Sequence, residues 1–444
     1  MFAILLAAPA VALLAGYFLL GGESAQDPTY RGQLMLLIWI AVFTAAVGVS
    51  APVVIGLAGR AAAKDRRLLL KVFKPGVAAT VILVCLLVLV HGGLVISTMV
   101  LAGVKVWKIL GLIALGVVTG VFYVVKATLT FTHPAETHVM GRRAERNENP
   151  KLHALVDSLA RRAGTEPPAN VIVGLDPSFF VTESKVSWIG GEARGRTMYL
   201  SLTLCRILSV EELSAIIGHE LGHFHGEDTQ FSLHFYPIFR GASNALTGLN
   251  MAAESTDSWL AAIPLYPAAY VMGYFLESFS EAESKISRER ELAADAFAAN
   301  LTSSRAAATA LVKVCGLDSG WSEALESLRG TEAANVAIRF AEITRRNAPE
   351  TAFDGIDDQV VPHPTDSHPP LHTRLAAMGL SVQDVASEAR QVSERARAIE
   401  LFERPEEVEM EVSAIYHSLM NPEKTTRPRF INSRIEPTGR QWLS

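Results

Sequence analysis

Apolar residues are gathered at one end of this chain. Four long, nearly uncharged runs precede Lys126, at Phe2–Leu20, Gln33–Gly59, Val77–Gly103 and Ile109–Val125. A helix rises about 1.5 Å per residue, so about 20 such residues reach across a hydrocarbon core of roughly 30 Å. The pattern predicts an N-terminal bundle of about four transmembrane helices over residues 1–130, the fourth run being the shortest. Beyond it, charged residues recur throughout. Asn149–Gly164 has helical periodicity, and Ala169–Gly174 and Thr197–Leu202 are short runs of strand-forming residues. Ser209 with Glu212 three residues later has the form of a capping box, which starts a helix. The fold class is therefore α+β, mostly helical. Its predicted parts are the membrane bundle, a domain over 131–380, and an extension over 381–444. That extension is charged and helical as far as Met420, then a polar tail with Pro422, Pro428 and Pro437.

Charge orients the bundle. Between the second and third runs stand Arg60, Lys64, Arg66, Arg67, Lys71 and Lys74 against Asp65, whereas the first loop carries Glu23 and Asp27 against Arg31. Basic loops resist translocation, which makes the second loop cytoplasmic and returns the chain to the cytoplasm before Arg142, Arg143 and Arg146. Lys105 and Lys108, in a loop placed outside, run against this. The first run lacks the positively charged start of a cleaved signal peptide. His91, inside the third run, reads as a neutral imidazole bonded to a neighbouring helix. The net charge of −5 gives no nucleic-acid footprint. Cys85, Cys205 and Cys315 are too few and too scattered for a disulfide framework or a cysteine zinc site, which fits a reducing compartment.

The chemistry is concentrated in the helix that Ser209 starts. It contains His219, Glu220, Leu221, Gly222 and His223. Imidazoles four residues apart lie on one helical face and reach one ion, and Glu220 then stands beside the water which that ion activates. Catalytic zinc takes three protein ligands and keeps one position open. A third ligand six residues on would be a His in the metzincin pattern, but Thr229 stands there. The run from Ser287 to Asp295 supplies an alternative: Glu291 as ligand, with Asp295 on the same face to accept from the outer nitrogen of a ligating His. One Zn²⁺ per chain is the cofactor expected. The bland reading of either helix is a solvated surface of His, Glu and Arg.

Three ordered motifs resemble the M48 zinc peptidases, the group that includes HtpX and the CAAX prenyl protease: His219–His223 with Asp228 beyond it, Ser287–Asp295, and Ser367–Arg374. Four preceding spans are more similar to the HtpX type than to the seven-span prenyl protease. The resemblance implies a gluzincin-type domain cleaving inside polypeptide chains, with damaged or misassembled membrane proteins as substrates. It also brings in His368 or Arg374 as donor to the oxyanion, with Glu220 as general base. Asp228 joins Asp295 in support of the site. The chain departs from the family's Asn-Ala pair near the substrate, reading Pro177, Ser178, Phe179, Phe180, Val181 instead. The expected setting is a bacterial cell membrane, the bilayer and polypeptides being the partners. The competing readings are prenyl-protein processing and a non-catalytic membrane scaffold with a structural zinc.

Trp259–Phe279 is apolar enough to resemble a fifth span. A single crossing would put the ligands on opposite sides of the bilayer, so zero or two crossings are allowed. Since the other half of a pair, Phe231–Ala252, carries Arg240, zero crossings is the better reading. Pro264 and Pro267 suit a bent segment lying over the cleft or at the membrane interface.

Overall fold

The computed structural model describes residues 2–104, 106–129, 136–226, 228–254, 262–316, 319–329, 334–346, 353, 355–356, 368–391 and 397–421. In chain order the helices are α1 (Phe2–Leu20), α2 (Pro28–Ala62), α3 (Arg66–Leu101), α4 (Trp107–Leu129), α5 (Pro150–Ala163), α6 (Leu202–Cys205), α7 (Val210–His225) and α8 (Asp228–Glu254). They continue with α9 (Leu265–Leu301), α10 (Ser304–Gly316), α11 (Ser319–Glu326), α12 (Val336–Arg346), α13 (Leu371–Ala377), α14 (Val382–Arg390) and α15 (Pro405–Met420). Between α4 and α6 lie β1 (Glu136–His138), β2 (Gly141–Arg143), β3 (Asn170–Gly174), β4 (Phe180–Thr182), β5 (Lys185–Trp188), β6 (Gly191–Ala193) and β7 (Thr197–Ser201), with α5 between β2 and β3. Lys105, His363, Ser367 and the tail from residue 422 lie outside the described residues.

The chain forms two compact units, residues 1–135 with 230–288, and residues 136–229 with 289–444. In the first, all four apolar runs are helices, and among the described residues four helices are long and apolar enough to cross a membrane. Asp27 caps α2 by accepting from Thr29 N at 2.7 Å, and Asp65 caps α3 by accepting from Arg67 N at 2.9 Å. Both ring nitrogens of His91 face carbonyls within the bundle, Leu87 O at 2.9 Å and Leu5 O at 3.3 Å, which is the structural role expected of it.

The sequence reading puts residues 259–279 over the cleft or at the interface as part of a domain over 131–380. The described part of that segment packs along the apolar helices. Leu265 occupies the space beside Gly120 where a Cβ would stand, and Pro264 lies close to Gly92. Phe73 of α3 stacks on Phe235 of α8 at 4.4 Å and on Phe275 of α9 at 5.8 Å between ring centroids. The reason is local: α8 and the first half of α9 carry apolar stripes that bury with Phe73, Val77, Val84 and Val88 in one core.

The second unit holds a four-stranded sheet in the order β2-β3-β7-β4 and a three-stranded sheet in the order β1-β5-β6. Parallel β3 and β7, both fully buried, are the two strands that the sequence pattern predicts, within a residue at each end. The others are three or four residues long, too short for periodicity to mark. Helix α7 packs against α5 and α10, and its capping box forms as expected: Ser209 N donates to Glu212 Oε2 at 2.7 Å and Glu212 N to Ser209 Oγ at 3.1 Å. No local pattern marks what lies behind that box. Lys313 of α10 is buried and its Nζ reaches Glu212 at 2.9 Å, Gln391 O at 3.0 Å and Ile207 O at 3.3 Å.

Removing one partner of a buried ion pair leaves the other charge uncompensated, at about 3–5 kcal/mol, whereas losing a cap hydroxyl costs about 1 kcal/mol. Lys313→Met is therefore expected to lower the thermal unfolding midpoint of the detergent-solubilised chain clearly more than Ser209→Ala does. Equal shifts would show that Lys313 is not what holds the start of α7.

Candidate metal centre

Two helices meet closely to make the site. A Cβ on Gly222 would come within 3.3 Å of Ala294 Cα, so α7 and α9 cross almost backbone to backbone. Gly218, one turn earlier, faces Ala298 in the same way. Small residues at i and i+4 on one helix thus oppose small residues at i and i+4 on the other. The neighbours of those small residues are the candidate ligands.

At the crossing His219 Nε2 and His223 Nε2 are 3.1 Å apart, His219 Nε2 is 3.4 Å from Glu291 Oε2, and His223 Nε2 is 3.4 Å from Glu291 Oε1. Metal–ligand bonds of about 2.0–2.1 Å in a tetrahedral shell put neighbouring ligand atoms about 3.3 Å apart. The donor set therefore fits zinc. Among the described residues it is the one group of His, Cys, Asp and Glu placed to hold a metal. Glu220 fits as well: its Oε2 is buried with no partner among the described residues, directed into the same space. Burial raises its pKa above the ordinary carboxylate value.

The surrounding charges are arranged in pairs. His219 Nδ1 lies 2.9 Å from Asp295 Oδ1, the contact expected of an acid one turn beyond Glu291. Burial disfavours the His219 imidazolium, but Asp295 and Glu291 outweigh it and hold its pKa up at about 10 in the absence of an ion. Burial opposes ionisation of Asp295 too, and the guanidinium of Arg374 reverses that, holding the acid below the usual range.

Arg374 has a partner that the sequence did not indicate. Both its Nε and its Nη2 donate to Asp295, at 2.8 and 2.6 Å, and the side chain is buried. That bidentate pair fixes the acid and uses two of the five guanidinium N–H groups, while Arg374 also lines the pocket. His368 is buried with its Nδ1 donating to Glu291 Oε2 at 2.6 Å. Asp228 opens α8, but its side chain lies outside the described residues.

The site opens into a mainly apolar pocket lined by Pro177, Phe179, Ile216, Ala310 and Leu311 together with His219, Glu220, His223, His368 and Arg374. Sequence reasoning missed the α10 residues. Their signal is legible in retrospect: Ala307, Ala310, Leu311 and Val314 line the pocket at helical spacing.

A model of peptidase family M48 matches residues 146–379. A protease HtpX homolog of Archaeoglobus fulgidus is 31% identical over 174 residues, 38% of this chain and 48% of that protein. One from Bacteroides fragilis is 26% identical over 248 residues, covering 53% and 70% of the two chains. One from Acidiphilium cryptum is 30% identical over 159 residues, covering 34% and 51%. The chain thus spans about half the length of the Archaeoglobus relative that it matches. No solved structure matches.

Groups that orient a ligating imidazole typically change metal affinity 10–100-fold when removed. Asp295→Ala is expected to weaken zinc binding by that factor in chelator competition while saturating zinc stays at one per chain. Unchanged affinity would remove Asp295 from the centre.

Proposed function

This chain belongs to peptidase family M48, and from that premise we propose that it is a membrane-anchored zinc endopeptidase cleaving internal bonds of membrane or misfolded proteins. The observation that carries this is the tetrahedral spacing of His219, His223 and Glu291 with the unpartnered Oε2 of Glu220 beside them. Bound zinc supplies Lewis-acid activation of water and of the scissile carbonyl. Glu220 accepts the proton of the attacking water and returns it to the leaving amine. Asp295 keeps the His219 ring oriented, and Arg374 keeps Asp295 ionised. His368 and Arg374, the two residues offered by the third motif, both line the pocket, and we assign the donor to the carbonyl oxygen to one of this pair.

The basic residues from Arg60 to Lys74 support a cytosolic position for the end of α2, the start of α3 and hence the metal-bearing unit. The path of α8 and α9 supports a re-entrant hairpin. Gly92, beside Pro264, lies 17 residues past Pro75 on α3, about 25 Å of helix in a hydrocarbon core of roughly 30 Å. A hairpin brings both of its ends back to one face. His223 before it and Glu291 after it then share an ion. Four membrane-length apolar helices among the described residues speak against the seven-span processing enzyme, and a general base beside three ligands speaks against a closed structural zinc.

Glu220→Gln should lower hydrolysis of labelled casein by at least two orders of magnitude with zinc content unchanged. Undiminished turnover in that variant sinks the mechanism. For the hairpin, Tyr266 is 49% exposed and adjoins the Pro264 contact. In a chain whose native cysteines are replaced, Tyr266→Cys is expected to react with lipid-soluble and not with water-soluble maleimides. Ready labelling by the water-soluble reagent would take the hairpin out of the bilayer.

A further inference from the structure

One wall of the pocket is a short loop. β3 ends at Gly174 and β4 begins at Phe180, and between them Pro177, Ser178 and Phe179 line the cleft beside His219 and Glu220. The same loop carries the departure from the family's Asn-Ala pattern. Its root is Asp176, which is held from three sides. Ser178 N donates to its carbonyl at 2.7 Å, the Tyr199 hydroxyl stands 3.5 Å from that carbonyl, and the Tyr416 hydroxyl donates to its Oδ1.

Tyr416 comes from α15, beyond the region matched by the family model. That helix is not loosely attached. Arg206 Nε and Nη2 donate to Glu409 at 2.7 and 2.6 Å, Val336 N donates to Ser413 Oγ at 3.0 Å, and Trp321 packs edge-on to the Tyr416 ring at 5.7 Å. Burial and the neighbouring Asp176 push the Tyr416 hydroxyl well above its usual pKa, so it keeps its proton and acts as a donor.

We propose that Tyr416 is a positioning residue for substrate: through Asp176 it fixes the Pro177–Phe179 wall, so the C-terminal extension sets how tightly a peptide is held beside the metal centre. The idea rests on the peptidase reading above. Losing the hydroxyl while keeping the ring releases the wall without touching a ligand. Tyr416→Phe in the full chain should therefore raise KM for labelled casein about tenfold, with kcat within about twofold of the parent.

The same loss should appear as a weaker casein Kd in the zinc-loaded Glu220→Gln background. Asp176→Ala should reproduce it, and adding Tyr416→Phe to Asp176→Ala should change little more. Asp176→Asn, which still accepts from the hydroxyl, should restore near-parent KM. Unchanged KM and Kd in Tyr416→Phe, or a fall in kcat with KM constant, would overturn the inference. So would loss of zinc together with binding, since that marks general structural support. Absence of any Glu220-dependent hydrolysis in the parent would instead overturn the peptidase reading, and this inference with it.

Discussion

The structure turns on how closely α7 and α9 can cross. Ligand atoms of three residues, 3.1–3.4 Å from one residue to the next, must come from positions separated by up to 72 residues, 219 to 291. Side chains as short as Glu and His reach across only if the backbones behind them nearly touch. Gly218 and Gly222 against Ala294 and Ala298 permit that approach. A larger residue at Gly222 would push α9 away and separate Glu291 from both imidazoles.

Closeness creates an electrostatic problem. Glu291 and Asp295 are both almost wholly buried, and two carboxylates at such a crossing repel each other and lose their hydration. The arrangement answers with cations and donors in pairs: Arg374 on Asp295, His368 on Glu291, His219 between them. Buried pairs of this kind contribute little net stability. Breaking one leaves a charge stranded, so they fix a single geometry, and a metal centre requires a single geometry. Lys313 and Glu212 repeat the device at the start of α7, joining the capping box to α10.

The stretch between the ligands belongs to the other compact unit, where α8 and the first half of α9 bury their apolar stripes against α3 and α4. The chain therefore leaves the metal-bearing unit after His223 and returns before Glu291. The C-terminal extension runs the other way. It lies within the metal-bearing unit and is tied to the rest of it at Arg206, at Lys313 through Gln391 O, and at the pocket wall through Asp176.

By itself the sequence determined whatever depends on neighbours three or four residues away. The four apolar runs, the Ser209–Glu212 box, the facing of His219 with His223 and of Glu291 with Asp295 all follow from helical spacing. The strands β3 and β7 were legible because they are five residues long and wholly apolar in setting. Tertiary structure alone decided the rest. Arg374 has the same local surroundings whether it faces solvent, an oxyanion or Asp295, and only the approach of α13 to α9 makes it the partner of a buried acid. Residues 265–279 have an apolar stripe that fits a cleft, an interface or a bundle equally well, and that it buries with the complementary stripe on α3 is a tertiary fact. Tyr416 and Asp176 lie 240 residues apart, and no local pattern records a hydrogen bond across that distance. Periodicity encodes which face of an element is apolar or carries a ligand; which other element meets that face is set by packing and charge compensation over the whole chain.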